Sequence, residues 1–400
     1  MTAHRQVYLD NNATTMCAPE VVSAMEPYWN GRYGNPSSMH SFGGDVRREV
    51  DQARGEIAAL LGAQPSEIVF TSGGSESDNL AIRGTVEALG GQKRHIITTR
   101  VEHPAVRGLC HHLQKQGYRL TELPVDSEGT LDLDLLAQAI TPDTAIVSIM
   151  WANNETGVVF PMEEIARICK SRRVVLHTDA VQAAGKIPID VSRLPVDLLS
   201  ISGHKLHGPK GIGALYVRKG TKLVPLIIGG HQEGGKRAGT ENVTGIVGLG
   251  QACSLARKYL TEEFGYVRGL RDRLQQGIVS GCEGVRINGK NRLPNTLNVS
   301  FEYVEGEAIL LLLDELGISA SSGSACASGS LEPSHVMRAM GVPFTAAHGS
   351  IRFSLSRYNT GEEIDYVVQH LPKIIDRLRE ISPFVGGREW HGTPLPGHSH

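Results

Sequence analysis

Four hundred residues with 40% hydrophobic content can bury a substantial core, and that length favours two or more domains. A formal net charge of -2 gives no electrostatic reason to expect nucleic acid or an anionic membrane as a partner. Residues 1–10 lack a basic stretch followed by an apolar one, and no apolar run approaches the ~20 residues that span a bilayer, so the chain reads as soluble and cytoplasmic. Six cysteines, at 17, 110, 169, 253, 282 and 326, are scattered without a Cys-x-x-Cys pair, which argues against structural zinc and a disulfide framework. Cys110, Cys169 and Cys253 fall in helical patterns and are expected to be small buried hydrophobes.

From about residue 38 to 217, helical and strand patterns alternate. The apolar period predicts helices over 45–61, 75–89, 103–116 and 163–170. Short apolar runs predict strands over 68–71, 95–99, 145–151, 174–178, 198–202 and 213–217. Such alternation indicates an α/β domain with a mostly parallel sheet covered on both faces, whose ligand lies beyond the carboxyl ends of the strands. A long helix, 243–259 and on towards 274, leaves this domain. A strand (296–302), a helix (305–316), a Gly/Ser/Ala loop, a strand (350–356) and a terminal helix (362–380) then make a smaller α+β domain. The expected division is 15–260 for the large domain, 1–14 with 261–383 for the small one, and 384–400 as a mobile tail rich in Pro, Gly and His.

The chemistry-bearing residues cluster at strand ends. Ser72-Gly73-Gly74-Ser75 closes the 68–71 strand and opens a helix, where backbone N–H groups can hold a phosphate; ordinary turn and capping chemistry has the same look. His103, before Pro104, reads locally as a helix cap and functionally as an imidazole against a planar cofactor. Asn153, Asn154 and the carboxylate Glu155 could make a turn or bind a ligand. Asp179 ends a buried strand, where a carboxylate needs a partner such as a protonated pyridine nitrogen, with Gln182 one turn on. Lys205, in Ser202-Gly203-His204-Lys205, places an amine at the next strand end, a setting suited to Schiff-base chemistry. Amine, acid and phosphate turn at the rim of one sheet are the combination that pyridoxal 5'-phosphate demands. Cys326 lies in a run of small residues without periodicity, where an exposed thiol can act as a nucleophile. Arg352 and Arg357, an odd number apart on one expected strand, should face opposite ways, one into the cleft to grip a carboxylate and the other into solvent.

With those residues in hand, the chain resembles the NifS/IscS-type cysteine desulfurases, fold-type-I pyridoxal-phosphate enzymes of aminotransferase class V, and within them the nitrogen-fixation branch. Five segments carry the resemblance: Gly34-Asn35-Pro36-Ser37-Ser38, Val101-Glu102-His103-Pro104, Gly203-His204-Lys205, Arg237-Ala238-Gly239-Thr240-Glu241-Asn242 and Ser322-Gly323-Ser324-Ala325-Cys326. It implies a seven-stranded sheet in the large domain and a homodimer. It also implies roles: Lys205 carries the cofactor as a Schiff base and later moves protons, His103 stacks on the ring, Asp179 pairs with its nitrogen and Gln182 contacts its phenolic oxygen. Gly74, Ser75, Ser202 and His204 would hold the phosphate, with Thr240 reaching in from the other subunit. Asn154 and Arg352 would hold the substrate L-cysteine, and Cys326 would take its sulfur as a persulfide for an iron–sulfur scaffold protein. No metal is implied. Ser75 stands where many relatives have Thr, which keeps the hydroxyl, and Ala327 where Thr is frequent. The readings in competition are a selenocysteine lyase, an aminotransferase, a housekeeping desulfurase, and a sulfur-trafficking protein whose role is binding.

Overall fold

The computed structural model describes residues 6–322 and 333–382, so Cys326 and the stretch 384–400 lie outside the described residues. The chain opens with β1 (Val7–Tyr8), α1 (Pro19–Met25), α2 (Pro27–Asn30) and α3 (Ser41–Leu61). Then come β2 (Ile68–Thr71), α4 (Gly74–Ala88), β3 (His95–Thr99), α5 (Pro104–Lys115), β4 (Arg119–Leu123), α6 (Leu133–Ala139), β5 (Thr144–Ser148), α7 (Met162–Ser171), β6 (Val175–Asp179), β7 (Leu198–Ser202) and β8 (Gly213–Val217). After α8 (Val243–Gly281) follow β9 (Val285–Ile287), β10 (Thr296–Phe301), α9 (Gly306–Glu315), β11 (Ile318–Ser319), β12 (Ser321–Ser322), α10 (His335–Ala339), α11 (Phe344–Ala347), β13 (Ser350–Ser354) and α12 (Gly361–Ile381).

Seven strands form one sheet in the order β2-β8-β7-β6-β5-β3-β4, parallel except for β8. Apart from the edge strand β4, its strands are buried along almost their whole length, as a sheet covered by helices on both faces requires. The expected mostly parallel seven-stranded sheet is therefore present. Register fixes what meets at its rim. Asp179 pairs with Ser200, while Gly213 lies between Thr71 on one side and Ser202 on the other. The antiparallel strand thus begins where its two neighbours end.

A second body has its own core, built from Leu270, Leu274 and Ile278 of α8 with residues of β10, β13, α9 and α12. The first half of α8 packs into the core beneath the large sheet through Ile246, Leu249, Ala252 and Cys253. One 39-residue helix, about 58 Å long by its rise per residue, therefore joins the two cores. β1 leaves the N-terminus in the second body, pairing with β11, before the chain crosses to the large sheet. Among the described residues, no helix is long and apolar enough to cross a membrane.

Several boundaries differ from the sequence reading. Helix α3 begins four residues earlier because the His40 ring accepts the Gly43 N–H at 3.1 Å and caps it. β4 was not anticipated, since a half-exposed edge strand lacks the apolar run that marks the others. The 350–356 strand stops at Ser354, which puts Arg357 past its end. Arg357 is not solvated as expected; it ion-pairs with Glu263 and lies over the rings of Tyr259 and Tyr358. The buried cysteines 110, 169 and 253 are as predicted.

α3 and α8 pack tightly at Gly250, where an added Cβ would come within 2.6 Å of both the Cα and the Cβ of Ala53. Gly250→Ala should raise intrinsic helix propensity yet destabilise the protein by ~1–3 kcal/mol, because the two helices must separate. Denaturant unfolding checks this, and an unchanged or raised midpoint would show that the pair can spread freely.

Candidate active site

The turn after β7 carries Lys205 in a short 3-10 segment, Gly203–Lys205. It is stitched to the N-terminal segment. Thr15 donates its N–H and its hydroxyl to the His204 carbonyl at 2.9 and 3.0 Å, and the same hydroxyl accepts the His207 N–H at 2.9 Å. His207 adopts φ +59°, a conformation uncommon outside glycine, and burial holds its imidazole down at about 4. The Lys205 ammonium is thereby delivered onto the carbonyls of Asn12 and Ala13, each at 2.6 Å. Asn12 is itself buried, donating to the Thr296 hydroxyl at 2.9 Å and accepting from Gln182 Nε2 at 3.0 Å through its carbonyl.

Around Lys205 opens a cavity of about 450 Å3 lined by Gly74, Ser75, His103, Asn154, Asp179, Gln182, Ser202, His204 and Arg352. Glu155, the carboxylate beside the two amides, also faces it, as do Asp10, Asn12 and Asp78, to which the sequence assigned no role. Thr240 is exposed and does not border the cavity of its own chain. Thus every expected site residue within the described region except Thr240 is brought to one place.

The Gly73–Gly74 turn forms the N-terminus of α4. Gly73 takes φ +153°, and Gly213 of β8 lies so close that a Cβ there would come within 2.7 Å of Gly73 Cα. Glycine at both positions lets the helix N-terminus fold flat over the start of β8, with its first N–H groups turned toward the rim. Glu76 accepts the Ser72 N–H at 2.7 Å and the Arg237 guanidinium at 3.0 Å, which fixes the turn from behind.

Asp179 accepts the Val181 N–H at 2.9 Å. Burial raises its carboxyl, opposed by His103 and Lys205. Behind it, Asp78 is fully buried with an Oδ1 that has no hydrogen-bond partner, and burial followed by the Asp179 charge raises it well above the usual carboxylate range. Two buried acids side by side cannot both ionise cheaply, so Asp78 is the one that keeps its proton. His103 does both things the sequence allowed: it caps α5, its Nδ1 accepting the Ala105 N–H at 3.2 Å, and it borders the cavity. Its imidazole is lowered by burial, against the pull of Asp179.

The two amides divide the two readings between them. Asn153 makes the turn, its side-chain oxygen accepting the N–H groups of Glu155 and Thr156 at 2.9 Å, and Asn154 borders the cavity. Arg352 enters from β13, donating to the Asn154 carbonyl at 2.9 Å and to Asp10 Oδ1 at 2.8 Å, while its buried Nε has no partner. Glu155, pushed up to about 7 by burial, accepts from the Ser334 hydroxyl at 2.5 Å.

The sequence profile of the aminotransferase class-V family matches residues 7–367. The chain belongs to that family. A cysteine desulfurase of Nostoc sp. is 58% identical over 94% of this chain and 95% of its own length. The cysteine desulfurase NifS of Azotobacter vinelandii is 54% identical over 95% of each. Among solved structures, a NifS-like protein superposes with a TM-score of 0.88 at 41% identity, covering 94% of this chain and all of its own.

Class-V enzymes of this kind work with pyridoxal phosphate. The residues present in this class-V chain fit that group. They offer an amine, a buried acid for a ring nitrogen, an aromatic imidazole, and a glycine turn opening a helix for a phosphate. The buried Arg352 Nε is a polar atom left over by the protein's own bonding, whereas Asp78 Oδ1 has only the buried His177 Nε2 at 3.5 Å. Asp78 could have been noticed as the acid four residues beyond Gly74 on α4; nothing in the local sequence marks Asp10 or Asn12.

Beneath the site, His177 is wholly buried between the Ser148 and Ser200 hydroxyls at 2.8 and 3.0 Å, and burial lowers it to about 3. An imidazole depressed in the folded state contributes stability that is complete above ~6.5 and is lost as pH falls toward 3. Glu102, raised by burial to about 8, works the other way, losing stability as pH rises through that value. The contribution of His177 therefore emerges as a difference between proteins. Between pH 8 and pH 5, wild type should lose on the order of 2 kcal/mol more than His177→Asn in denaturant unfolding. Parallel pH profiles would refute the assignment.

Proposed function

We infer that this class-V enzyme is a pyridoxal-phosphate-dependent cysteine desulfurase, converting L-cysteine to L-alanine and supplying sulfur for iron–sulfur clusters of the nitrogenase-related kind. One observation carries the assignment of its residues. Lys205, Asp179, the Gly73–Ser75 turn and Arg352 converge on a single cavity at the rim of the sheet.

Pyridoxal phosphate, when bound, supplies an aldehyde for amines and a protonated ring that draws electrons from the substrate Cα. Lys205 is the amine that carries it and the group that holds and moves the Cα proton. Asp179 pairs with the ring nitrogen, Gln182 faces the phenolic oxygen and His103 covers the ring. Gly74, Ser75, Ser202 and His204 receive the phosphate. His204 does so as a neutral imidazole, lowered to about 4 by burial and by neighbouring lysines. Arg352 takes the substrate carboxylate beside Asn154, and its free Nε supports that role.

Cys326 is the sulfur acceptor. Its thiolate forms a bond to the substrate sulfur as the carbon–sulfur bond breaks, and the electron pair left on carbon takes a proton to give alanine. The persulfide remains on Cys326, to be passed to an iron–sulfur scaffold protein in the cytoplasm. Thr240 serves the phosphate of a second copy in a homodimer. Its exposure outside its own cavity supports this, as does the buried, unpartnered Glu241 Oε2 beside it.

Cys326→Ala should keep the bound cofactor and its spectral response to L-cysteine but lose at least 100-fold in sulfide release, as expected when a covalent nucleophile is removed. Lys205→Ala should lose the borohydride-reducible yellow chromophore altogether. Unchanged alanine and sulfide production by Cys326→Ala would sink the acceptor assignment. Equal turnover of selenocysteine and cysteine by the wild type would favour the lyase.

A further inference from the structure

Lys186 does not border the cofactor cavity and was not singled out by sequence. Its ammonium donates to the Gln182 side-chain oxygen at 3.2 Å and to the Gln182 carbonyl at 3.0 Å. Among the described residues, no ion pair balances it. A small void of about 50 Å3, outside the cofactor cavity, is bordered by both Lys186 and Lys205, so the two ammonium-bearing chains converge there.

We propose that Lys186 is a positioning residue of the cofactor site, fixing which way the Gln182 amide faces and placing a second cation behind Lys205. The inference rests on the pyridoxal-phosphate reading above. A glutamine amide presents an acceptor at one end and donors at the other, and its orientation follows from its neighbours. Here the neighbours leave one choice. The Asn12 carbonyl can only accept, so Nε2 must face it, at 3.0 Å, and Oε1 is left to face Lys186, which as an ammonium can only donate. Reversal would set two donors against each other on one side and two acceptors on the other. Asn12's carbonyl also receives Lys205, so the chain Lys186–Gln182–Asn12–Lys205 is continuous.

The second effect is electrostatic. Burial, then the charge of Lys205, pushes Lys186 down to about 7, and two cations in one desolvated region each disfavour the other. The charged and titratable groups facing Lys186 are Lys205, His204 and His207 from the β7–β8 connection, Glu263 from α8, and Arg357 beyond β13. Glu263 is engaged by Arg357, which leaves the field around Lys186 net positive. Such a field favours an anionic oxygen next to Gln182 and a deprotonated nitrogen on Lys205.

The test uses the holoenzyme and reads two quantities besides turnover: the cofactor dissociation constant and the pH midpoint of the chromophore. Lys186→Met should weaken cofactor binding ~10-fold, as loss of a supporting residue does, and raise the midpoint by about one unit by removing a cation. Lys186→Arg should restore the midpoint. In a Gln182→Ala background, Lys186→Met should cost little further affinity, because the residue it positions is gone. Should Lys186→Met fail to fold, Lys186→Gln, uncharged but polar, gives the same two readouts. A folded variant with unmoved midpoint and affinity overturns the proposal, as does full additivity with Gln182→Ala. A Lys205→Ala protein that kept its reducible chromophore would instead overturn the cofactor assignment.

Discussion

The site depends on one contact: the Lys205 ammonium resting on the carbonyls of Asn12 and Ala13. A lysine at a buried strand end is an expensive charge, and these two carbonyls are acceptors that keep it within the cleft. They are available because the N-terminal segment crosses from the second body to the large sheet. β1 pairs with β11, Asn11 bonds to β13, and Thr15 closes onto the turn that carries the lysine. The same crossing presents Asp10 to Arg352 and the Asn12 side chain to Asn295 and Thr296. The Lys205 amine and the Arg352 guanidinium are thus held in register by one short stretch of chain, and a displacement of Asn12 would disturb both.

A second constraint is the number of buried ionisable groups. Asp78, Asp179, Glu102 and Glu155 all sit in or against the cavity with raised carboxyls, while His103, His177 and His204 are lowered. Burial is the first cause in every case. Raised acids and lowered bases mean that both classes tend to the neutral form, and the surrounding hydroxyls of Thr99, Ser148, Ser200 and Ser334 suit neutral partners. Asp179 stands apart because His103 and Lys205 pull its carboxyl back down. The environment therefore singles out one acid of the buried pair to bear charge, at the end of the strand nearest the lysine.

What could be read from the sequence follows from the length scale of each signal. Strands β2, β3, β7 and β8 were legible to the residue because buried strands are short runs rich in apolar and β-branched residues between turn residues. Lys205, Asp179, Gly74 and Ser75 were legible because a strand end is a local feature, and a charged or glycine residue there is conspicuous. Asp10, Asn12 and Lys186 were not, because each matters through a contact hundreds of residues away or through the head group of a side chain that looks ordinary in its own segment. Arg357 was misjudged for a related reason. Alternation along a strand says which way a side chain points, but β13 ends at Ser354, and beyond it the partner is Glu263 of α8. Cys326 was picked out by its run of small residues and by the family motif it closes, and its place lies outside the described residues.

The leftover polar atoms complete the argument for a preformed site. A buried polar atom without a partner costs on the order of 1–3 kcal/mol; Arg352 Nε is such an atom, and Asp78 Oδ1, which has no hydrogen bond and meets only His177 Nε2 at 3.5 Å, borders the same cavity. Arg352 already spends two guanidinium nitrogens on Asp10 and the Asn154 carbonyl, so its orientation is set before any substrate arrives. Asp10, at 20% side-chain exposure the more open member of that pair, is a carboxylate already seated on the guanidinium. The protein's own acid thus occupies part of the fork and marks the kind of ligand that fits it. Order of this kind in the free chain means that binding need not also organise the site, which is where preorganised enzymes gain over flexible ones.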